Sequence, residues 1–343
     1  MTMASDHRPQ LTGSQSWASA DVAKSLIPER TFGAHKWGVG GLIVVAGSPS
    51  YSGAALLASR AAGRAGAGIV QLATGRHVIA TVAAAIPEVA HIPLPETDAP
   101  GAARRALDLI EEHLEKTKAI LIGPGLGRDN AANEFLSVLF ALGNKREIER
   151  RNIGFSALTP AQLDEPKTST SPLFARDELA IIIDADALNW LSEQTDWWKS
   201  LPVGRVLLTP HAGEFSKLTG KSVEEITADP LGEVEAAAKL WQQTVVLKYG
   251  YSAVSDGKRT VIAEDAPLSL ATAGSGDVLA GTIAGFAAQE LDLLDAATLA
   301  LHLGPAAARR IEQRFGTLGL IASDLPDAIA EELAALSDNS ATT

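Results

Sequence analysis

The sequence predicts an α/β fold with a mainly parallel central sheet covered by helices on both faces. Three observations carry that expectation. Short continuous apolar runs recur over 41–46, 68–73, 119–122, 179–183 and 205–208, the composition of strands buried on both sides. Helix-period segments at 53–66, 103–116, 129–142 and 185–192 alternate with them, as crossover connections between parallel strands do. Glycine- or charge-bearing loops follow these strands, and a doubly wound sheet gathers such loops along one edge.

The remaining elements follow in order. A helix is predicted over 223–243, and strands over 244–248, 252–255 and 260–263. The last two strands form a hairpin about Asp256-Gly257, a dipeptide suited to a tight reverse turn. Helices fill much of 277–336. Residues 1–30 are expected to be a loosely ordered lead-in, 31–336 a single catalytic domain and 337–343 a C-terminal tail. The segment 143–178 opens with the charge cluster 145–151 and continues with Thr, Ser and Pro, the composition of a surface excursion.

A chain of 343 residues that is 46% hydrophobic can bury a sizeable core. It has no cysteine, which excludes a disulfide framework and a thiolate zinc site. A net charge of -12 argues against a nucleic-acid surface. It does not argue against nucleotides, which a few glycines and cations can hold. The polar start lacks an apolar signal core, and no apolar run is long enough to span a bilayer. A cytoplasmic protein with no membrane partner is therefore expected.

The segment Ala273-Gly274-Ser275-Gly276-Asp277 runs straight into an apolar helix. Free amides at a helix N-terminus, with the positive end of its dipole, attract an anion. A carboxylate beside a phosphate makes sense as the acceptor of a proton from an attacking hydroxyl. The alternative is structural, with Ser275 as cap and Asp277 as an early-turn charge.

Other loops join it. The stretch 46–54 follows the first strand but matches neither a Walker A loop nor a dinucleotide fingerprint. Gly123-Pro124-Gly125-Leu126-Gly127 packs three glycines into five residues, more than a turn needs. Asp184 and Asp186 could hold Mg²⁺, or one of them could cap the next helix. In Thr209-Pro210-His211, Thr209 is the expected N-cap and Pro210 the first helical residue, with His211 in the first turn facing the crevice. Glu214 reads as an early-turn charge. Lys248 ends a strand, where it could neutralise a phosphate or snorkel at the sheet edge.

Taken in order, these segments resemble the ADP/ATP-dependent NAD(P)H-hydrate dehydratase family of the ribokinase-like superfamily. The matching residues are His35-Lys36, Gly40, 45–48, Gly53-Ala54, 123–127, 184–188, 208–211, 213–215, 246–248, Gly274-Ser275-Gly276-Asp277 and 319–324. The resemblance implies a ribokinase-like three-layer α/β/α sandwich. It implies a repair reaction in which hydrated NADH or NADPH is phosphorylated from ADP or ATP, with Mg²⁺, and then loses phosphate. It also implies site roles. Asp277 would be the catalytic base. Ala54, Gly125, His211 and Asp277 would contact the hydrated coenzyme. Lys248, Tyr249, Gly250, Tyr251, Ser252, Gly274 and Gly276 would hold the nucleotide. A homo-oligomer, a tetramer in the family, is implied as well.

The chain departs from the family pattern at Ala212, where proline is usual, and at Tyr249, where glycine is usual. The approach 266–272 lacks the usual asparagine and glycine, and the 143–178 excursion is longer than normal. The epimerase domain fused to some members is expected to be absent from these 343 residues. Two other readings use the same loops: a small-molecule kinase whose product retains the phosphate, and a nucleotide-binding protein without turnover. A carboxylate at 277 favours the catalytic readings, because a binding-only phosphate site gains repulsion from it.

Overall fold

A computed structural model of the protein describes residues 9–95, 99–142 and 171–338. Ten strands form one sheet: β1 (Gln15–Trp17), β2 (Gly41–Val45), β3 (Ile69–Gly75), β4 (Ala90–Leu94), β5 (Thr117–Ile122), β6 (Ala180–Ile183), β7 (Val206–Leu208), β8 (Thr244–Leu247), β9 (Ala253–Ser255) and β10 (Thr260–Ile262). Their order is β1-β10-β9-β8-β7-β6-β5-β2-β3-β4. Only the β8–β9 and β9–β10 pairings are antiparallel.

The central strands are buried on both sides, as their sequences predict. In β2, Leu42 and Val44 enter one core, while Ile43 and Val45 enter the other. The first core is closed by helices Ser52–Arg64, Ser275–Ala287, Leu293–Phe315 and Leu325–Asp338. The second is closed by Ala102–Glu111, Asn130–Phe140, Asp186–Ser192 and Pro230–Trp241. The result is a three-layer α/β/α sandwich.

Several expectations need correction. The lead-in is not loose over its described part. β1 pairs in parallel with β10, and Ala18 and Ala23 are fully buried. Apolar contact and one strand ladder order a segment whose composition reads as polar. The helix predicted over 223–243 is two helices, Val223–Ala228 and Pro230–Trp241. Pro230 forces the preceding residue out of helical geometry, and the Asp229 side chain caps the new start at Gly232 N, 3.1 Å away. Strand β4 and helix Arg76–Ala85 were absent from the expected pattern. Their Ala-rich and Pro-containing sequences carry neither period clearly.

Most of the predicted excursion, 143–170, lies outside the described residues. Its last part is not peripheral: Ser171 and Leu173 are buried, and the Ser171 hydroxyl donates to Leu139 O at 2.5 Å.

One helix pair sets the position of the 273–277 loop. Helix Ser275–Ala287 lies so close to Ser52–Arg64 that a Cβ on Gly281 would stand 2.2 Å from Ala58 O, and one on Gly285 2.6 Å from Ala62 O. Gly281→Ala is therefore expected to force the helices apart, at a cost of about 1–3 kcal/mol. Gly63→Ala, on the same pair, meets nothing within 4 Å. It is expected to stabilise by about 0.5–1 kcal/mol through helix propensity. Thermal unfolding of the two variants checks the contrast.

Candidate active site

The carboxyl ends of β2, β5, β6, β7 and β8 deliver their loops to one edge, and the N-terminus of Ser275–Ala287 meets them there. Gly125 has φ +63, and a Cβ on it would lie 2.8 Å from the Ala54 and Tyr51 Cβ atoms. The predicted coenzyme residues Ala54 and Gly125 are thus brought into contact. Helix Ser52–Arg64 starts at Tyr51 without a side-chain cap.

β6 ends on Asp184, 1% exposed. Its Oδ1 accepts from Thr209 Oγ1 at 2.7 Å and from Lys248 Nζ at 2.9 Å. Ala185 follows at φ 51, ψ −117, a strained backbone for a residue with a Cβ. That bend sends Asp186 toward the 123–128 loop, where its oxygens accept from Gly127 N and Arg128 Nε, each at 2.9 Å. Neither aspartate caps the helix; Ala185 occupies the cap position without a side-chain bond.

His211, not Thr209, is the N-cap of helix Ala212–Thr219. The strand register continues further than expected: His211 bridges to Lys248 in parallel, and Lys248 N donates to Pro210 O at 2.9 Å. His211 Nδ1 accepts from Gly213 N at 3.0 Å and Glu214 N at 3.3 Å. Glu214 Oε2 in return accepts from His211 N at 2.9 Å, completing a capping box. An accepting Nδ1 leaves the hydrogen of the neutral ring on Nε2, a tautomer assigned from this hydrogen-bond pattern. Burial, then the Lys248 charge, holds the His211 pKa below its usual value and favours that neutral ring.

The helix at 275 is capped differently as well. Gly274 is the cap, at φ 91. Ser275 Oγ turns back to donate to Leu270 O at 2.8 Å, so it covers no helix amide. Asp277 stands in the first turn, and its carboxylate makes no hydrogen bond to another described residue. Burial pushes its pKa up to about 7, and the neighbouring Asp184 charge adds to the rise. Glu214 is likewise raised to about 7, first by burial. Lys248 opposes both. Burial disfavours its charge, but Asp184, Glu214 and Asp277 outweigh that, and its pKa rises. A Cβ on Gly276 would lie 3.3 Å from Lys248 Nζ, so this cation faces the amides of the helix start.

Beside it opens a cavity of about 920 Å³, lined by Lys248, Tyr249, Gly250, Tyr251, Ser252 and Gly276 on one side. Apolar residues such as Leu279, Leu301 and Ile329 also line it. Gly274 does not line it; a Cβ there would meet Leu57 and Ala322 instead. A positive helix start, one buried cation and an uncommitted carboxylate with a raised pKa suit proton transfer from a hydroxyl attacking a bound phosphate.

The family model described as NAD(P)H-hydrate dehydratase matches residues 42–145 and 166–331. The chain belongs to the NAD(P)H-hydrate dehydratase family. It is 32% identical over 290 residues to an ADP-dependent (S)-NAD(P)H-hydrate dehydratase of Xanthomonas campestris, covering 84% of this chain and 86% of that one. It is 36% identical over 305 residues to a bifunctional NAD(P)H-hydrate repair enzyme of Salinibacter ruber, covering 88% of this chain but 49% of the relative. The chain thus spans about half the length of that relative. A ribokinase-like superfamily protein of Enterococcus faecalis shares the fold, at TM-score 0.75 and 20% identity over 96% of this chain and 99% of that one. So does an ADP/ATP-dependent NAD(P)H-hydrate dehydratase of Bacillus subtilis co-crystallised with ATP/Mg²⁺, at TM-score 0.69 and 24% identity over 93% and 98%. The fold is ribokinase-like.

Within this family frame, the structure gathers Asp277, Gly276, Lys248 and His211 at one point, and Ala54 with Gly125 beside it. Three residues named from the sequence take other roles in the fold. Thr209 and Asp184 combine to hold Lys248. Glu214 is an early-turn charge, but a buried one that fixes His211. The S/T-x-x-E capping signature does not start with histidine, so nothing local announced it. Among the described residues no group of three or more His, Cys, Asp or Glu could hold a metal ion. Asp184 and Asp186 are already committed to Lys248, Thr209, Gly127 and Arg128. The donor set does not form a resident divalent-cation cage. No helix among the described residues is long and apolar enough to cross a membrane.

Proposed function

We propose that this chain dehydrates hydrated NADH or NADPH at the expense of ADP or ATP. The observation that carries the proposal is Asp277: a half-buried carboxylate, free of hydrogen bonds to described residues, set in the first turn of a helix without a side-chain cap, beside Lys248. Asp277 takes the proton of the ring hydroxyl as its oxygen attacks the terminal phosphorus of the nucleotide. AMP leaves from ADP, or ADP from ATP. The Gly274 and Gly276 amides, the helix dipole and Lys248 meet the charge on the transferring group. Phosphate then departs with the C–O bonding pair, driven by the ring nitrogen's lone pair. The departing phosphate takes a proton from the adjacent carbon, and the C–H bonding pair restores the ring double bond. Mg²⁺ enters this reading only as the nucleotide's own companion, carried on phosphate oxygens. No protein ligand is assigned to it.

The residues divide between two ligands. The 248–252 segment and Gly276 take the nucleotide in the larger cavity. Ala54, Gly125 and His211 take the hydrated coenzyme. Homo-oligomer assembly belongs to the same reading and is checked by light scattering in solution.

The test is incubation of the protein with hydrated NADH, Mg²⁺ and ADP or ATP. The expected result is recovery of near-ultraviolet NADH absorbance with equivalent free phosphate. Stable phosphate on an organic product, with no NADH recovered, would favour a small-molecule kinase instead.

His211 offers a finer check. His211→Ala is expected to raise the KM for the hydrated coenzyme while leaving the nucleotide KM near that of the parent. It also removes a helix cap, at about 0.5–2 kcal/mol. His211→Asn keeps a capping oxygen but not the Nε2–H. It is expected to recover the stability and not the KM, as steady-state kinetics and thermal unfolding would show.

A further inference from the structure

A second cavity, of about 230 Å³, lies past the carboxyl ends of β2, β3 and β4, against the glycine loops at Gly47 and Leu126, and shares no lining residue with the cavity at Lys248. The reactive site and the nucleotide cavity described above leave it unused. Its walls are apolar, among them Val78, Leu94, Ala103, Ala106, Leu126 and Phe135. Its polar groups are few: Ser48, Thr74, His77, Asp129 and Glu134. That is the make-up of a small-ligand recess, an apolar slot with a few orienting groups.

Packing joins it to Asp277. A Cβ on Gly274 would stand 3.9 Å from Asp277 Oδ2 and would strike Leu57, one turn along helix Ser52–Arg64 from Ala54, which in turn packs on Gly125. Asp186 accepts from Gly127 N at 2.9 Å. A Cβ on Gly127 would stand 4.0 Å from Ser48 Oγ, and Ser48 lines the cavity. The path therefore runs over Gly47-Ser48 and Gly125-Leu126-Gly127. Gly47, Gly125 and Gly127 all have positive φ. Helix Ser52–Arg64 begins beside this path without a side-chain cap.

We infer that this cavity receives the adenine ring of the hydrated dinucleotide, with the pyrophosphate laid along the glycine loops. This rests on the dehydratase reading. A dinucleotide carries two heterocycles, and the nicotinamide end must present its hydroxyl to Asp277. The co-substrate nucleotide occupies the larger cavity on the Lys248 side. The second heterocycle then needs an apolar slot apart from Lys248, and the smaller cavity, walled by Ser48 and Leu126 beside Gly125, is one. The carboxylates of Asp129 and Glu134 are acceptors for an exocyclic amine or ribose hydroxyls. Asp129 spends Oδ1 on the cap of helix Asn130–Phe140 at Ala132 N, 2.8 Å away, which holds that side chain at the cavity wall.

The experiment compares hydrated NADH with hydrated reduced nicotinamide mononucleotide, which lacks the adenylate half. The parent protein is expected to show kcat/KM at least about tenfold higher for the dinucleotide, equivalent to about 1.4 kcal/mol. Ala106→Leu and, separately, Ala103→Leu fill the cavity, which both residues line. Each is expected to cut kcat/KM for the dinucleotide about tenfold and to leave the mononucleotide within about twofold. Equal kcat/KM for the two substrates in the parent protein would overturn the inference without any variant. So would filled variants that keep the dinucleotide preference, or that lose both substrates equally while still binding ADP. If neither substrate is turned over by the parent, the dehydratase reading itself has failed.

Discussion

Asp277→Asn is expected to give a folded, nucleotide-binding protein whose turnover has dropped by about 10²–10⁴, the usual loss when a general base is removed. The substitution keeps the shape and the helix start but removes the proton acceptor. Because burial raises the Asp277 pKa to about 7, kcat/KM of the parent should rise with pH through that region as the carboxylate ionises. The residual activity of the Asn variant should lack that limb. A stability signature accompanies it, with a definite sign. The folded pKa lies above the unfolded value near 3.8. The native state therefore holds a proton that the unfolded chain releases, and the buried charge weakens the fold progressively as pH rises from about 4 through 7. The Asn variant escapes this. Its Tm relative to the parent should be more favourable at pH 8 than at pH 5. Near-normal kcat in a folded Asn variant would sink both the dehydratase and the kinase mechanism, since both require this base.

Lys248→Ala is the second large effect, and it has two parts. The Lys248–Asp184 pair is largely buried, with side chains 19% and 2% exposed and a separation of 2.9 Å. Truncating the lysine leaves Asp184 with its Thr209 bond but no counter-charge. Breaking a buried pair in this way costs about 3–5 kcal/mol. Removing Asp184 as well should restore part of the loss, so the double variant should be less damaged than the sum of the singles. The second part is functional. Lys248 faces Gly276 and lines the nucleotide cavity, so ADP affinity should fall more than affinity for the hydrated coenzyme. Denaturant unfolding and separate titrations with the two ligands check this. Equal weakening of both ligands would argue that Lys248 serves only to hold the sheet edge.

The corrections share one cause. Local preference makes Thr209, before Pro210, the expected cap, and makes Ser275 the cap in the structural alternative for the 273–277 loop. Neither holds, because other partners take both hydroxyls. Thr209 gives its hydroxyl to Asp184, 25 residues away, and strand pairing with Lys248 carries the extended backbone on to His211. Ser275 is drawn back by the carbonyls of the preceding turn. The lead-in shows the same effect: three polar-flanked residues become a strand because β10 offers an open edge.

What the sequence determined by itself is the layered α/β class and the set of loops that carry the chemistry. Burial on both faces writes continuous apolar runs into β2, β5 and β6, and the alternation with helices requires parallel crossovers. Glycine where a Cβ would strike a neighbour, as at Gly125 and Gly281, is also written residue by residue. What only the tertiary structure decided is which charges neutralise one another and which stay poised. Asp184, Asp186, Glu214 and Asp277 are four similar carboxylates in the sequence. In the fold, Asp184 is held by Lys248 and Thr209, Asp186 by Gly127 and Arg128, and Glu214 by the backbone of His211. Asp277 alone among these four has no hydrogen-bond partner among the described residues. A carboxylate's proton affinity depends on burial and on charges within a few ångströms, and those distances are set by strands and helices far apart in the chain.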